Sequence, residues 1–132
     1  RLEIGTKYPT KRGTNLYDFW GDKITNSLNS RLTELSDNDG DPVLVNLASN
    51  EYFKSVHPAK ISARILTPIF MDKKNDDYKV ISFFAKRARG EMAAFAVKNR
   101  IVDAERLKEF RESGYIHNPD LSSENKLIFT RD

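Results

Sequence analysis

Three cations, Lys86, Arg87 and Arg89, stand in the stretch FFAKRARGEMAAF between two apolar flanks. Side chains of this kind hold phosphates through charge-assisted hydrogen bonds, with Arg as a bidentate fork. The surrounding segment, Lys79 to Arg100, has six cations (Lys79, Lys86, Arg87, Arg89, Lys98, Arg100) and one anion, Glu91. From Asp103 to Asp132 the balance reverses, with five cations against seven anions. Clustered basic charge fits a polyanionic partner, and the bland alternative is a solvated face of snorkelling side chains. A strand reading of Tyr78 to Ala85 followed by a helix from about Ala88 to Asn99 puts the three cations at a helix start. The dipole there favours anions by a few tenths to about 1 kcal/mol. A shared anion, held between helix amides and basic side chains, would reconcile that placement.

A second strand-to-helix junction is NLASNEYFK, with Asn46, Ser49, Asn50 and Lys54 where an apolar run gives way to a short helix. Ligand crevices of α/β proteins form at such strand ends. The alternative is that Ser49 and Asn50 only cap the helix. Gly21 in FWGD, inside an otherwise strong helix pattern, costs nearly 1 kcal/mol relative to Ala. That loss implies a close backbone approach, with Trp20 in the core and Asp22 as partner for a cation. If the two junctions formed one pocket, Lys54 or Lys86 would carry chemistry, with Glu51 and Asp22 as the nearby carboxylates.

Other chemistries lack their residues. There are no cysteines, and the two histidines, His57 and His117, are sixty positions apart with no ligand at a helical offset, so no metal is expected. DNDGD, Asp37 to Asp41, superficially matches a calcium loop but lacks the downstream bidentate Glu and reads as a turn. Ser49, Ser55 and Ser82 have no nucleophile elbow. No phosphate-binding glycine motif occurs, and no cofactor is expected.

At 132 residues with 39% hydrophobic and 31% charged content the chain reads as one soluble globular domain, able to bury roughly two-thirds of its unfolded surface. Net charge is +3, and mean hydropathy is −0.61 with no long apolar run, so no membrane helix is expected. RLEIGTKYP has neither an initiator Met nor a signal peptide, and reads as the interior of a longer protein.

The elements follow from periodicity. Residues 1 to 13 read as irregular. Asn15 can cap a long helix, with Asp18 in its first turn and Leu16, Trp20, Ile24, Leu28, Leu32 and Leu35 on its buried face. An acidic turn, Ser36 to Pro42, ends it. Val43 to Leu47 reads as a strand buried on both faces. A short helix follows, with Phe53 and Val56 inward and Pro58 as its stop. Ile61 to Met71 alternates, with Ile61, Ala63, Ile65, Thr67 and Ile69 on one face, as a half-buried strand in which Pro68 marks an edge or bulge. Asp72 to Asp77 is a loop, and the strand from Tyr78 completes a hairpin. The helix near Ala88 buries Ala88, Met92, Phe95 and Ala96. Asp103 caps the next, with Val102 and Leu107 as a staple and Gly114 as a left-handed stop. Ser122 and Ser123 lie in a loop, and Lys126 to Thr130 is the last strand. The class is α/β: a mixed sheet with a β-hairpin, covered by amphipathic helices.

RLEIGTK, LYDFWGDKITNSLN, VNLASNEYFKSV, ISFFAKRARGEMAAF, a later GY and a closing LIFTRD resemble the C-terminal half of the YaaA family of bacterial peroxide stress response proteins. The resemblance spans the whole chain in order. It implies a cytoplasmic protein about twice this length, in the response to hydrogen peroxide, that limits intracellular free iron and binds DNA through a basic cleft within an unusual α/β fold. Its helix-hairpin-helix element is expected in the absent N-terminal half. The residues carried over are Asn46, Ser49, Lys54, Lys86, Arg87 and Arg89.

The reading is a DNA-binding stress protein, contacting duplex or branched DNA phosphates largely regardless of sequence through Lys54, Lys86, Arg87, Arg89, Lys98 and Arg100. Asn46, Ser49, Asn50 and Asp22 line the candidate pocket. The alternative is an enzyme acting on a nucleotide or modified nucleobase. Other expected partners are the missing N-terminal half and, through apolar surface that half would cover, a second copy of the fragment.

Overall fold

Gly21 meets a carbonyl, and that contact organises the first part of the chain. The computed structural model describes residues 16–36 and 42–132, with side chains described for 20–34 and 42–132. The expectations for residues 1 to 13, the Asn15 cap, Asp18, the faces of Leu16 and Leu35, and the acidic turn with DNDGD lie outside the described side chains. The chain divides into two compact parts: Arg1–Pro42 with Ala48–Ala63, and Val43–Leu47 with Arg64–Asp132.

In the first part, helix α1 (Leu16–Ser36) packs on the 3-10 turn at Lys54–Val56, which continues a short helix, α2 (Asn50–Phe53), and it reaches the 3-10 turn at Pro58–Lys60 through Asn29. The expected buried face holds at Leu28 and Leu32 and is displaced by one residue earlier in the helix. Gly21, Thr25 and Leu32 are buried and Leu28 and Asn29 are half-buried, whereas Trp20 is 52% exposed and Ile24 also faces outward. The reason is that α1 packs on backbone. A Cβ on Gly21 would lie 2.0 Å from the Ser55 carbonyl oxygen. Thr25 Oγ1 donates to the Gly21 carbonyl at 2.7 Å and sits against the Val56 carbonyl as a second acceptor. The Asn29 amide donates to the Lys60 carbonyl at 2.8 Å, and its oxygen accepts from Ser62 N at 2.7 Å. Small and polar side chains at four-residue steps therefore form the seam. Phe53 is half-buried and Val56 buried. His57, left-handed at φ 52°, ends the first 3-10 turn, and Pro58 opens the second.

In the second part, the strands are β1 (Val43–Val45), β2 (Arg64–Lys74), β3 (Asp77–Lys79), β4 (Ile116–His117) and β5 (Lys126–Arg131). Their order is β1-β2-β5-β4, with β3 paired to β2. β2 runs parallel to β1 and β5, and the β3 and β4 pairings are antiparallel. Among the described residues β1 is an edge strand, and its residues are half-buried, not buried on both faces. β2 is central, and its buried residues are Leu66, Pro68, Phe70 and Asp72, opposite in parity to the expected Ile65, Thr67, Ile69. Both parities of ILTPIFM are apolar because both faces of a central parallel strand are covered.

Pro68 is therefore on a central strand, contrary to expectation, yet it removes no ladder bond. Thr67 N donates toward β5 and the Leu66 carbonyl accepts from Asn46 N on the β1 side. Pro68 shares the parity of Leu66. It falls on that side beyond the β1 pairing, which ends at Leu66, and before the β3 pairing, which begins at Asp72.

The hairpin forms, but with a two-residue loop, because β2 continues to Lys74. Asn75 and Asp76 both take positive φ (53° and 64°), the geometry of tight hairpins. Helix α3 (Ser82–Lys98) begins six residues earlier than Ala88, so the strand expected to reach Ala85 stops at Lys79. Phe83 and Phe84 look like strand residues, but the helical rhythm of Ala85, Ala88 and Met92 already governs them. Phe95 and Ala96 pack against the same core. The next element is a 3-10 helix (Ala104–Glu109), and Asp103 caps it by accepting from Glu105 N at 3.0 Å. The staple does not form: Val102 is 98% exposed while Leu107 is buried. Gly114, at φ 85°, turns the chain into Tyr115 five residues after that helix ends. The core centres on Phe70, whose ring lies 5.6 Å from Phe110, 5.3 Å from Tyr115 and 5.2 Å from Phe129.

The two helical glycines make opposite predictions. Gly21→Ala drives a methyl into backbone and should lower unfolding free energy by about 1–3 kcal/mol. Gly90 has nothing within 4 Å of an added Cβ, so in the 132-residue chain by itself Gly90→Ala should raise it by roughly 0.5–1 kcal/mol. Urea unfolding of both variants checks this, and shifts of the same sign would contradict it.

Candidate functional site

The C-terminal ends of β2 and β5 are paired at Asp72 and Arg131, the end of a parallel sheet at which ligand sites form. Asp72 is 8% exposed. Its carboxylate accepts from Arg131 Nε at 2.6 Å and from the Tyr115 hydroxyl at 2.6 Å. The Arg131 guanidinium lies 4.4 Å from the Tyr115 ring centre and 4.9 Å from that of Phe84, and it donates to the Ser113 carbonyl at 3.1 Å. The Ser113 hydroxyl donates to the Glu91 carboxylate, 2.8 and 2.9 Å from its two oxygens. Arg87 Nε pairs with Glu91 at 3.1 Å. One polar chain thus runs from α3 through the 113–115 turn into the sheet. Burial first, then the hydrogen bond to Asp72 and its charge, push the Tyr115 phenol well above its ordinary value, so it remains a neutral donor.

None of Asp72, Ser113, Tyr115 and Arg131 figured among the expected site residues, and Glu91 only as the lone anion of its segment. The available signal was a charged residue closing each apolar strand, with GY and RD inside the quoted motifs. The site expectation followed charge runs instead.

The expected residues fall as follows. Lys86, Arg87 and Arg89 sit within α3, not at its start, which overturns the shared anion at a helix N-terminus. Lys86, Lys98 and Arg100 are exposed and have no carboxylate partner among the described residues. Arg100 adopts φ 47° just past the helix. Arg87 is shared with Glu91. Arg89 is half-buried, which lowers its pKa, and it has no ion-pair partner among the described residues. Lys54 is exposed at the start of its 3-10 turn. Ser49 occupies the N-cap position of α2, but its side chain makes no capping bond. Asn50 is the exposed first residue of that helix. Asp22 contacts His57 Nε2 at 3.3 Å, a partner that is a cation only when its ring is protonated. Asn46 is buried behind β1 in the second part, donating its N–H to Leu66.

A cavity of about 250 Å³ in the second part is lined by Arg64, Glu105, Lys108, His117, Ser122 and Leu127 among others. Ser122 Oγ donates to the Asn118 carbonyl at 2.7 Å and accepts from Ile128 N at 2.9 Å. Toward His117 Nε2, 3.2 Å away, it can therefore only accept, so His117 is no base for this hydroxyl. Burial and then Lys108 lower the His117 pKa. Among the described residues no group of three metal-ligating side chains occurs, and no helix is long and apolar enough to cross a membrane.

Sheet and helices define a mixed α/β protein built around an ionic junction at its strand ends. The family model of the peroxide stress protein YaaA matches residues 1–121, and the chain belongs to that family. It is similar to proteins named UPF0246 from Tolumonas auensis (55% identical over 131 residues, 99% of this chain and 49% of the relative) and Teredinibacter turnerae (52%, covering 99% and 50%). A third, from Psychrobacter arcticus, is 51% identical over 132 residues, covering 100% of this chain and 47% of the relative. The chain spans about half the length of the curated relatives it matches.

Asp72→Ala should cost about 3 kcal/mol or more, since it strands Arg131 and the Tyr115 hydroxyl. Arg87→Ala should cost less than about 1 kcal/mol. Equal losses in urea unfolding would contradict the clasp. Tyr115 also sets an alkaline limit. Above about pH 10 the unfolded chain releases this proton and the folded chain keeps it, so stability falls as pH rises. Tyr115→Phe should flatten that fall, and an equally steep limb in the variant would count against it.

Proposed function

We propose that this chain contributes a DNA-contacting surface to a peroxide stress protein and, through it, helps limit intracellular free iron and oxidative DNA damage. The observation that carries the reading is α3. It presents Lys86 and Lys98 to solvent, with Arg100 just beyond, and its single carboxylate, Glu91, is taken by Arg87 and Ser113. Lys86 and Lys98 are twelve positions apart, roughly 18 Å along the helix at 1.5 Å per residue. That span passes several phosphates, because a duplex carries one charge per about 1.7 Å of axis. Point charges on flexible stems read the backbone and release counterions without selecting bases. Arg87 and Arg89 contribute less, one being shared with Glu91 and the other half-buried. Lys54 adds a further exposed cation. The reading carries a cytoplasmic location with it.

In the full-length protein, Lys86→Glu with Lys98→Glu should weaken binding to duplex and branched DNA uniformly across sequences. The slope of log K against log salt should fall by about 0.9 per lost phosphate contact. Unchanged affinity and slope, with helical content intact, would overturn the reading.

The cavity at Arg64, Lys108 and His117 favours a second reading, an enzyme acting on a nucleotide or modified nucleobase. Thermal-shift screening separates the two. The DNA reading expects stabilisation by duplex and none by nucleosides, nucleotides or free bases, and the reverse pattern supports the enzyme.

A further inference from the structure

The outward side of α3 carries exposed apolar residues alongside its cations. Ala85, Ala88 and Met92 are buried against the sheet. On the opposite side, Phe83, Gly90 and Val97 recur at seven-residue steps, with Ala93 and Ala94 between them. Phe83 is 72% and Val97 78% exposed, and a Cβ built on Gly90 meets nothing within 4 Å. Lys86 and Arg87 break this row between Phe83 and Gly90, and it is unbroken from Gly90 to Val97. Single exposed apolar residues are ordinary, but a row of them along one helix side is not. Large side chains at the two ends and small ones at the centre leave a shallow groove, open to close approach by another element.

We propose that this stripe is an interface for the portion of the family's length that the chain does not span. Relatives that match 99% of this chain do so with only 49% or 50% of their own length, so an equal length of polypeptide accompanies it in them. Intramolecular packing of that portion on α3 would make it a central helix covered on both sides. Lys86, three residues past Phe83 and four before Gly90, projects from the same side, where side chains at these offsets are neighbours. The two readings meet there: the covering portion must leave the Lys86 ammonium in water, with its aliphatic stem along the groove edge.

The test uses the full-length protein and the absence of cysteine from this chain. Ala94→Cys places one small thiol in the stripe, and Val102→Cys is a control at a 98% exposed position. Iodoacetamide labelling, read by mass spectrometry on the peptide concerned, should be on the order of 100-fold slower at position 94, reached only by local opening. Protection should persist on dilution to monomer. A benzophenone side chain at Val97 should cross-link to peptides outside these 132 residues. Equal labelling at the two positions, protection lost on dilution (which would make a second copy the occupant), or cross-links confined to these 132 residues would each overturn the proposal.

Discussion

Asp72 is a carboxylate almost sealed from water at the end of a central strand, and the second part of the chain is arranged to keep it paired. An unpaired buried charge costs several kcal/mol, so Arg131 and Tyr115 must reach it together. Arg131 can do so only if β5 lies in register with β2, and Tyr115 only if the Ser113–Gly114 turn delivers it from the other side. The aromatic packing around Phe70 follows from the same alignment, since Phe129 and Tyr115 are both in contact with that ring. Glu91 and Ser113 extend the constraint to α3, which fixes how the helix presents its cations.

The first part is held by a different device. Gly21, Thr25 and Asn29 close on the backbone of residues 55 to 62, with hydroxyl and amide groups satisfying carbonyls that a purely apolar face would leave unpaired. The approach tolerates no Cβ at position 21. Side-chain packing and backbone hydrogen bonding are here the same interaction. That is why the large apolar residues Trp20 and Ile24 are displaced outward.

Much of this was legible in the residues. The long helix, the hairpin, the last strand, the Asp103 cap and the close approach at Gly21 each leave a local signal in the sequence, and each was expected. What was missed depends on partners distant in sequence. The burial parity of β2 is ambiguous because Ile65, Leu66, Ile69 and Phe70 are all apolar, and only the central position of the strand decides it. The helix start at Ser82 was hidden by Phe83 and Phe84, whose strand propensity yields to packing on the core. The Asp72–Arg131 pair joins positions 59 apart and has no periodic signature. Of the expected site, the exposure of Lys86, Lys98 and Arg100 could be read from charge. Arg87's engagement with Glu91 could only be read from the fold, and the dipole puzzle at the three cations dissolves once they lie inside the helix.

The central claim is that the outward cations of α3 meet nucleic-acid phosphate. Lysine footprinting of the full-length protein tests it directly: acylation with and without a non-specific duplex, read by mass spectrometry residue by residue. The account predicts protection at Lys86 and Lys98, with Lys74 and Lys126, exposed on other elements, modified as before. Unchanged acylation at Lys86 and Lys98 under saturating duplex would contradict it.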